Sequence, residues 1–216
     1  MLMKTVALIG DIVSSRQVAR RGEFQTRLAA LLKQISSRNP VLVSPYTITL
    51  GDEFQAVYKA ADTLFLDIFT IMTELFPVEV RFGVGLGELT TSINKKQALG
   101  MDGPAFHRAR EAISGLKKTD YRLGFKGAPA VRVAEDRWKL LQHLLNLISH
   151  TISGWSRNRL FIMRGLLAGK SVADFEKELK ISRVAVYKNI NAAALNDLVG
   201  LCEEITRILN QELKTS

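Results

Sequence analysis

The chain has 216 residues, 47% hydrophobic and 24% charged, with a net charge of +9 and a pI near 9.8. That length suits one large domain or a domain plus a small module. No apolar run is long enough to span a bilayer, because the richest, residues 64–76, is interrupted by Asp67, Thr70, Thr73 and Glu74; no membrane partner is expected. The opening MLMKTVALIGD meets an aspartate without a cleavage-like site, unlike a secretory signal. A single cysteine, Cys202, excludes an intrachain disulfide framework and points to a cytoplasmic location. The scattered His107, His143 and His150 form no zinc motif. The basic excess is spread along the chain, so it permits phosphate-rich partners without marking one nucleic-acid arm.

In chain order, residues 6–9 form a continuous apolar run ending at Gly10-Asp11, the pattern of a central strand buried on both faces. Residues 20–37 carry Phe24, Leu28, Leu31, Leu32 and Ile35 on one helical face and stop at Asn39-Pro40. Tyr46, Ile48 and Leu50 alternate with threonines, and Phe54, Ala56 and Tyr58 alternate beyond Gly51-Asp52. Two alternating runs joined by Gly-X predict a hairpin with a type II′ turn. An apolar helix over 60–76 follows. A strand over 78–86 then carries Gly83, Gly85 and Gly87 on its second face, leaving a bare patch for a ring or a helix. A helix over 104–116 and a short strand over 121–125 complete this part. The order β-α-β-β-α-β predicts an α+β, ferredoxin-like antiparallel sheet with helices on one face.

From about residue 134 the strand signals stop, and 135–152, 157–167, 172–179 and 183 onward read as helices. The expected division is 1–133 for the sheet domain and 134–216 for an all-helical domain. Within it, residues 171–190 have the pattern of a helix-turn-helix. Ser171 and Ser182 cap its two helices, while Glu176 replaces the small residue at the crossing and Lys180 the turn glycine. Ser182, Arg183, Tyr187, Lys188 and Asn189 are the residues expected to meet DNA. A plain helical hairpin is the alternative. Leu195, Leu198, Cys202, Ile205 and Leu209 form a short a/d seam that packs either on Leu140, Leu144 and Leu147 or in a homodimer.

The chemistry-bearing residues cluster early. Asp11 ends the first strand and Asp52 tips the hairpin. Two converging carboxylates repel unless a cation lies between them, and a hard divalent ion such as Mg²⁺ or Mn²⁺ serves while recruiting phosphates. Ile12, Val13, Ser14, Ser15 and Arg16 then supply amides, hydroxyls and a guanidinium for a phosphate cradle, with Gly51 facing them. Asp52 alone reads more readily as turn chemistry; the conjunction with Asp11 and the hydroxyl-rich turn is what points to a site.

The stretches GDIVSSR (10–16), LGDEFQA (50–56) and VRFGVGLGEL (80–89) follow the order of the class III nucleotidyl cyclase core, related to GGDEF and palm domains. Together with GMDGPAFHRAREAI (100–113) and the C-terminal helices, they resemble the bacterial SatD family. The resemblance implies a cyclase-like, palm-like domain with Asp11 and Asp52 as metal ligands, Ile12 to Ser15 as the phosphate turn, and a DNA-binding tail. The lysine with which ATP-using cyclases read the base is here Ile48. Their transition-state asparagine and arginine positions are His107 and Glu111. The expectation is a regulator that binds a nucleotide and metal, with a divergent cyclase or phosphoryl-transfer enzyme, or an interaction scaffold, as alternatives.

Overall fold

The computed structural model describes residues 3–15, 18–49, 51–127 and 132–214, of which 132–135 are described in backbone only. Five strands, β1 (Lys4–Ile12), β2 (Leu42–Ile48), β3 (Glu53–Tyr58), β4 (Val80–Glu88) and β5 (Leu123–Lys126), form one sheet in the order β2-β3-β1-β4-β5. The helices are α1 (Arg21–Arg38), α2 (Leu64–Leu75), α3 (Pro104–Leu116), α4 (Arg132–Ile152), α5 (Arg157–Leu167), α6 (Val172–Leu179), α7 (Arg183–Ala192) and α8 (Leu195–Lys214). The architecture is α+β, with the strand and helix order read from the sequence.

β1 is central, pairing antiparallel with β3 and β4. That explains a run buried on both faces: a strand with two neighbours and helices on either side shows no polar alternation. Along one face Val6, Leu8, Phe54, Tyr58, Phe82 and Val84 meet Leu28 and Leu32 of α1 and Phe65, Ile68 and Phe69 of α2. Each such large side chain contributes roughly 1.5–3 kcal/mol on burial.

Three expectations change. The helices do not share one face: α3 packs on the other, with Ala105, Ala109 and Ile113 against Ala7, Ile9 and Val57. The glycine row of β4 is what lets it approach. A Cβ on Gly85 would lie 2.1 Å from the Ala105 carbonyl oxygen, and one on Gly83 2.4 Å from that of Ala109. The patch is filled by a helix, not left bare for a ring. The sheet is also mixed rather than antiparallel, because β5 pairs parallel to β4. Finally, the β2–β3 connection takes four residues, 49–52, in place of a two-residue turn, closed by the Thr49 amide on the Glu53 carbonyl at 2.8 Å. Gly51 there has φ 72°, a conformation costly for other residues; Leu50 lies outside the described residues.

The expected domain boundary falls beside residues 128–131, which are also outside the described set. Beyond it, Leu141, Leu145 and Ile148 of α4 and Leu160, Ile162 and Met163 of α5 belong to the same core cluster as Val6 and Phe82. The α8 seam, Leu195, Leu198, Cys202, Ile205 and Leu209, is buried in that cluster within the chain. Leu140 and Leu147, expected to cover it, instead point outward at 56% exposure each. The seam of α8 has the expected phase, whereas the core takes Leu141, Leu145 and Ile148 of α4 and, of the three expected leucines, only Leu144 packs against it. Burial pushes the Cys202 thiol up to about 12, so it is an inert core group.

Candidate functional site

The β1 end and the hairpin tip are tied together by backbone. Ile12 donates its amide to the Asp52 carbonyl at 2.9 Å, and Asp11 stands directly opposite Glu53 on β3 and Arg81 on β4. Ser15, in the turn after β1, donates its hydroxyl to Asp52 Oδ2 at 2.6 Å. Asp11 and Asp52 therefore border one turn. Ser14 sits in it at φ 51°, an uncommon conformation for a residue with a Cβ.

The cradle is smaller than the sequence suggests. The amides of Ile12 and Val13 are spent on the carbonyls of Asp52 and Glu79, each at 2.9 Å, and the Ile12 side chain is core. Ser14 and Ser15 remain as the turn's donors, with Gly51 alongside; its carbonyl accepts from Gln25 Nε2 at 3.1 Å. Arg16 lies outside the described residues. A cleft of about 660 Å³ opens beside the turn, lined by Val13, Ser14, Arg20, Phe24 and Arg27. Neither aspartate lines it.

The carboxylates on the α3 face already have cations. Lys117 Nζ lies 2.9 Å from Asp11 Oδ1, and Arg81 Nη1 3.3 Å from Asp11 Oδ2. Arg110 reaches Glu53 at 3.2 Å, and Thr49 donates to the same carboxylate. Asp11 and Glu53 are cross-strand like charges, destabilising without such partners. The protein's own side chains thus supply counter-charges to Asp11 and Glu53, while Asp52 has the Ser15 hydroxyl. Arg81 was legible in principle: it occupies the same alternation as Gly83 and Gly85, hence the same face. Lys117, the C-cap of α3, carries no local signal.

As a divalent-ion site the donor set is chemically suitable but sparse. Asp11 and Asp52 are hard oxygen donors, and with two protein ligands the rest of the shell would be water and phosphate. No group of three or more His, Cys, Asp or Glu suited to a metal occurs among the described residues. Entry of an ion at Asp11 requires the half-exposed Lys117 to yield. Arg81, 17% exposed, is the fixed partner.

The cyclase-equivalent positions are engaged elsewhere. His107 Nε2 bonds Asp102 Oδ1 at 2.7 Å on the surface, Glu111 pairs with Lys126 at 2.9 Å, and Ile48 packs on the core. In the C-terminal part, Ser171 and Asp174 form a capping box on α6, and Ser182 caps α7. Lys180 takes the turn glycine's left-handed conformation at φ 54°. Glu176, at the crossing, reaches Arg183 at 3.3 Å. Tyr187 and Lys188 are exposed, whereas Asn189 turns back to donate to the Ala185 carbonyl at 2.9 Å.

A second polar centre escaped the sequence reading. Asp67 of α2 is 5% exposed and accepts from Tyr58 at 2.6 Å, Asn39 Nδ2 at 2.7 Å and Tyr46 at 3.4 Å, the two tyrosine hydroxyls also bonding each other. Burial raises Asp67 to about 6, with the donated hydrogen bonds opposing it. Burial likewise pushes both tyrosines well up, so they stay neutral donors.

No curated protein sequence matches the chain. Two solved structures of a bacterial light-regulated adenylyl cyclase align with 58% of this chain, at 19% and 17% identity and TM-scores of 0.42 and 0.43. The alignment covers 43% of each cyclase, so this chain spans less than half their length. No described helix is long and apolar enough to cross a membrane. The SatD family model matches residues 5–200, nearly the whole chain, and the protein belongs to the SatD family.

Proposed function

We propose that this SatD-family protein binds a nucleotide or another phosphorylated small molecule, together with Mg²⁺ or Mn²⁺, where β1 meets the hairpin tip. The observation that carries the reading is the tie of Ile12 and Ser15 to Asp52, which sets two aspartates and a hydroxyl-bearing turn side by side. Asp11 and Asp52 would hold the ion, and Ser14, Ser15 and Arg16 the phosphates. A bound divalent ion would neutralise phosphate charge. The protein's part is to position oxygens and exclude other geometries. Binding is preferred to turnover because His107 and Glu111 do not match the transition-state pair and are engaged with Asp102 and Lys126. The first 133 residues are taken as a ferredoxin-like, cyclase-type unit.

The α6–α7 pair is read as a DNA-binding helix-turn-helix, supported by two serine caps, the buried Phe175, Val186 and Ile190, and outward Arg183, Tyr187 and Lys188. A homodimer would match a two-fold DNA site, using a surface other than the α8 seam. A cytoplasmic location suits the free, buried cysteine. Calorimetric titration with a nucleotide panel plus Mn²⁺ tests the site. Binding in the wild type that is abolished in Asp11→Asn/Asp52→Asn supports it; no binding at millimolar ligand, or equal binding by the variant, refutes it.

A further inference from the structure

A cleft of about 710 Å³ lies between α1, α2 and the end of α5; it shares Arg27 with the cleft beside the turn, and neither Asp11 nor Asp52 lines it. Its volume falls in the range of small-molecule sites, about 300–1,000 Å³. Its charge is one-sided. Arg27 and Arg38 project from the α1 wall, Arg164 and Lys170 from the α5 side. Of the two acids that line it, Glu74 is already held by Arg164 at 2.6 Å, and Asp67 is turned into the interior toward Tyr58 and Asn39. Lys170 shares Glu178 at 2.7 Å. The guanidiniums of Arg27 and Arg38 have no ion pair or hydrogen bond among the described residues.

One unpaired surface arginine is ordinary. Here residues 27, 31, 34, 35 and 38 fall on one stripe of α1, so two uncompensated guanidiniums flank the apolar Leu31 and Ile35 across a concave surface. A cleft with one sign of charge and low-dielectric walls concentrates the opposite charge. Apolar walls, neutral hydrogen-bonding groups on Thr63 and Thr70, and arginine forks describe the complement of a small organic anion.

We propose that this α1–α2–α5 cleft is a second ligand site, taking a small organic anion with an apolar body, separate from the aspartate turn. The acid group meets Arg27 or Arg38, and the apolar body lies along Leu31 and Leu66. The α5 wall includes Gly165, which packs against Phe175 of α6. The ligand therefore touches the helix on which the α6–α7 pair is seated.

The test titrates full-length protein with 8-anilinonaphthalene-1-sulfonate by fluorescence, with neutral N-phenyl-1-naphthylamine as comparator. Expected is one saturable sulfonate site, at least tenfold weaker in Arg27→Glu/Arg38→Glu and unchanged in Asp11→Asn. Both arginines are exposed, so that variant folds. Ala168→Trp, which fills the cleft from the α5 wall without changing charge, is expected to weaken binding as well. Absence of a saturable site, equal binding by both cleft variants, or equal affinity for the neutral comparator overturns the proposal.

Discussion

Lys117→Met separates the protein's own cation from a divalent ion at Asp11. The substitution keeps the length and apolar stem of the side chain and removes only the ammonium 2.9 Å from Asp11 Oδ1. Lys117 is 51% exposed, and an exposed pair is worth about 0–1 kcal/mol, so the melting temperature should scarcely move. The effect on a metal is larger. Unit charges about 4 Å apart interact by about 1 kcal/mol in water, and a dication doubles that. If Lys117 stayed in place, its repulsion would cost about 2 kcal/mol, or about thirtyfold in affinity at 1.4 kcal/mol per decade. The flexible stem lets it swing aside, so Lys117→Met should tighten Mn²⁺ binding by about three- to thirtyfold at low salt. Free Mn²⁺ followed by electron paramagnetic resonance reads this directly. Unchanged or weaker binding in the variant refutes the competition argument; no binding by either protein refutes the metal reading itself.

Gly85→Ala should force α3 off the sheet, since its Cβ would lie 2.1 Å from the Ala105 carbonyl oxygen; a loss of about 1–3 kcal/mol, lowering Tm by about 2–4 °C per kcal/mol, is expected in thermal denaturation, and an unchanged Tm would contradict this packing. Asp67, raised to about 6 from 3.8, binds its proton more tightly folded than unfolded, so stability from this group is full below pH 4, falls as pH rises to about 6 and is flat above. The loss is about 3 kcal/mol at most, and urea melts of Asp67→Asn should lack that slope while the wild type shows it. Lys188→Ala should weaken binding to duplex DNA about uniformly across sequences and lower the salt slope by about 1; an unchanged slope in a salt titration by fluorescence anisotropy would remove Lys188 from the interface.

Much of the fold was legible because its signals are local. The bounds of α3, α5 and α6 follow from Pro104 and from serine caps at 156 and 171, which act within one turn. The placement of α3 was not legible, because a glycine row permits close approach without saying what approaches. The α4 phase was misjudged because Leu140, Leu141, Leu144, Leu145, Leu147 and Ile148 offer two overlapping apolar stripes, and tertiary packing selects Leu141, Leu145 and Ile148. At the site, Asp11 and Asp52 stood out through strand end and turn. Lys117 comes from the far end of another helix, and the Asp67 network joins α1, β2, β3 and α2; convergence of that kind has no spacing to read. The amides of Ile12 and Val13 were counted as free because a sequence does not show which carbonyls a turn will meet.

One core runs from Val6 on β1 to Leu209 on α8, and this has a thermodynamic consequence. Elements that share a core melt together, so the acidic turn, the basic cleft and the α7 surface draw on a single folding equilibrium. A ligand that binds only the folded state at any of them raises the stability of all by RT ln(1 + [L]/Kd). Occupants of three separate surfaces can therefore be found with one melting curve, and told apart by which substitution removes the shift.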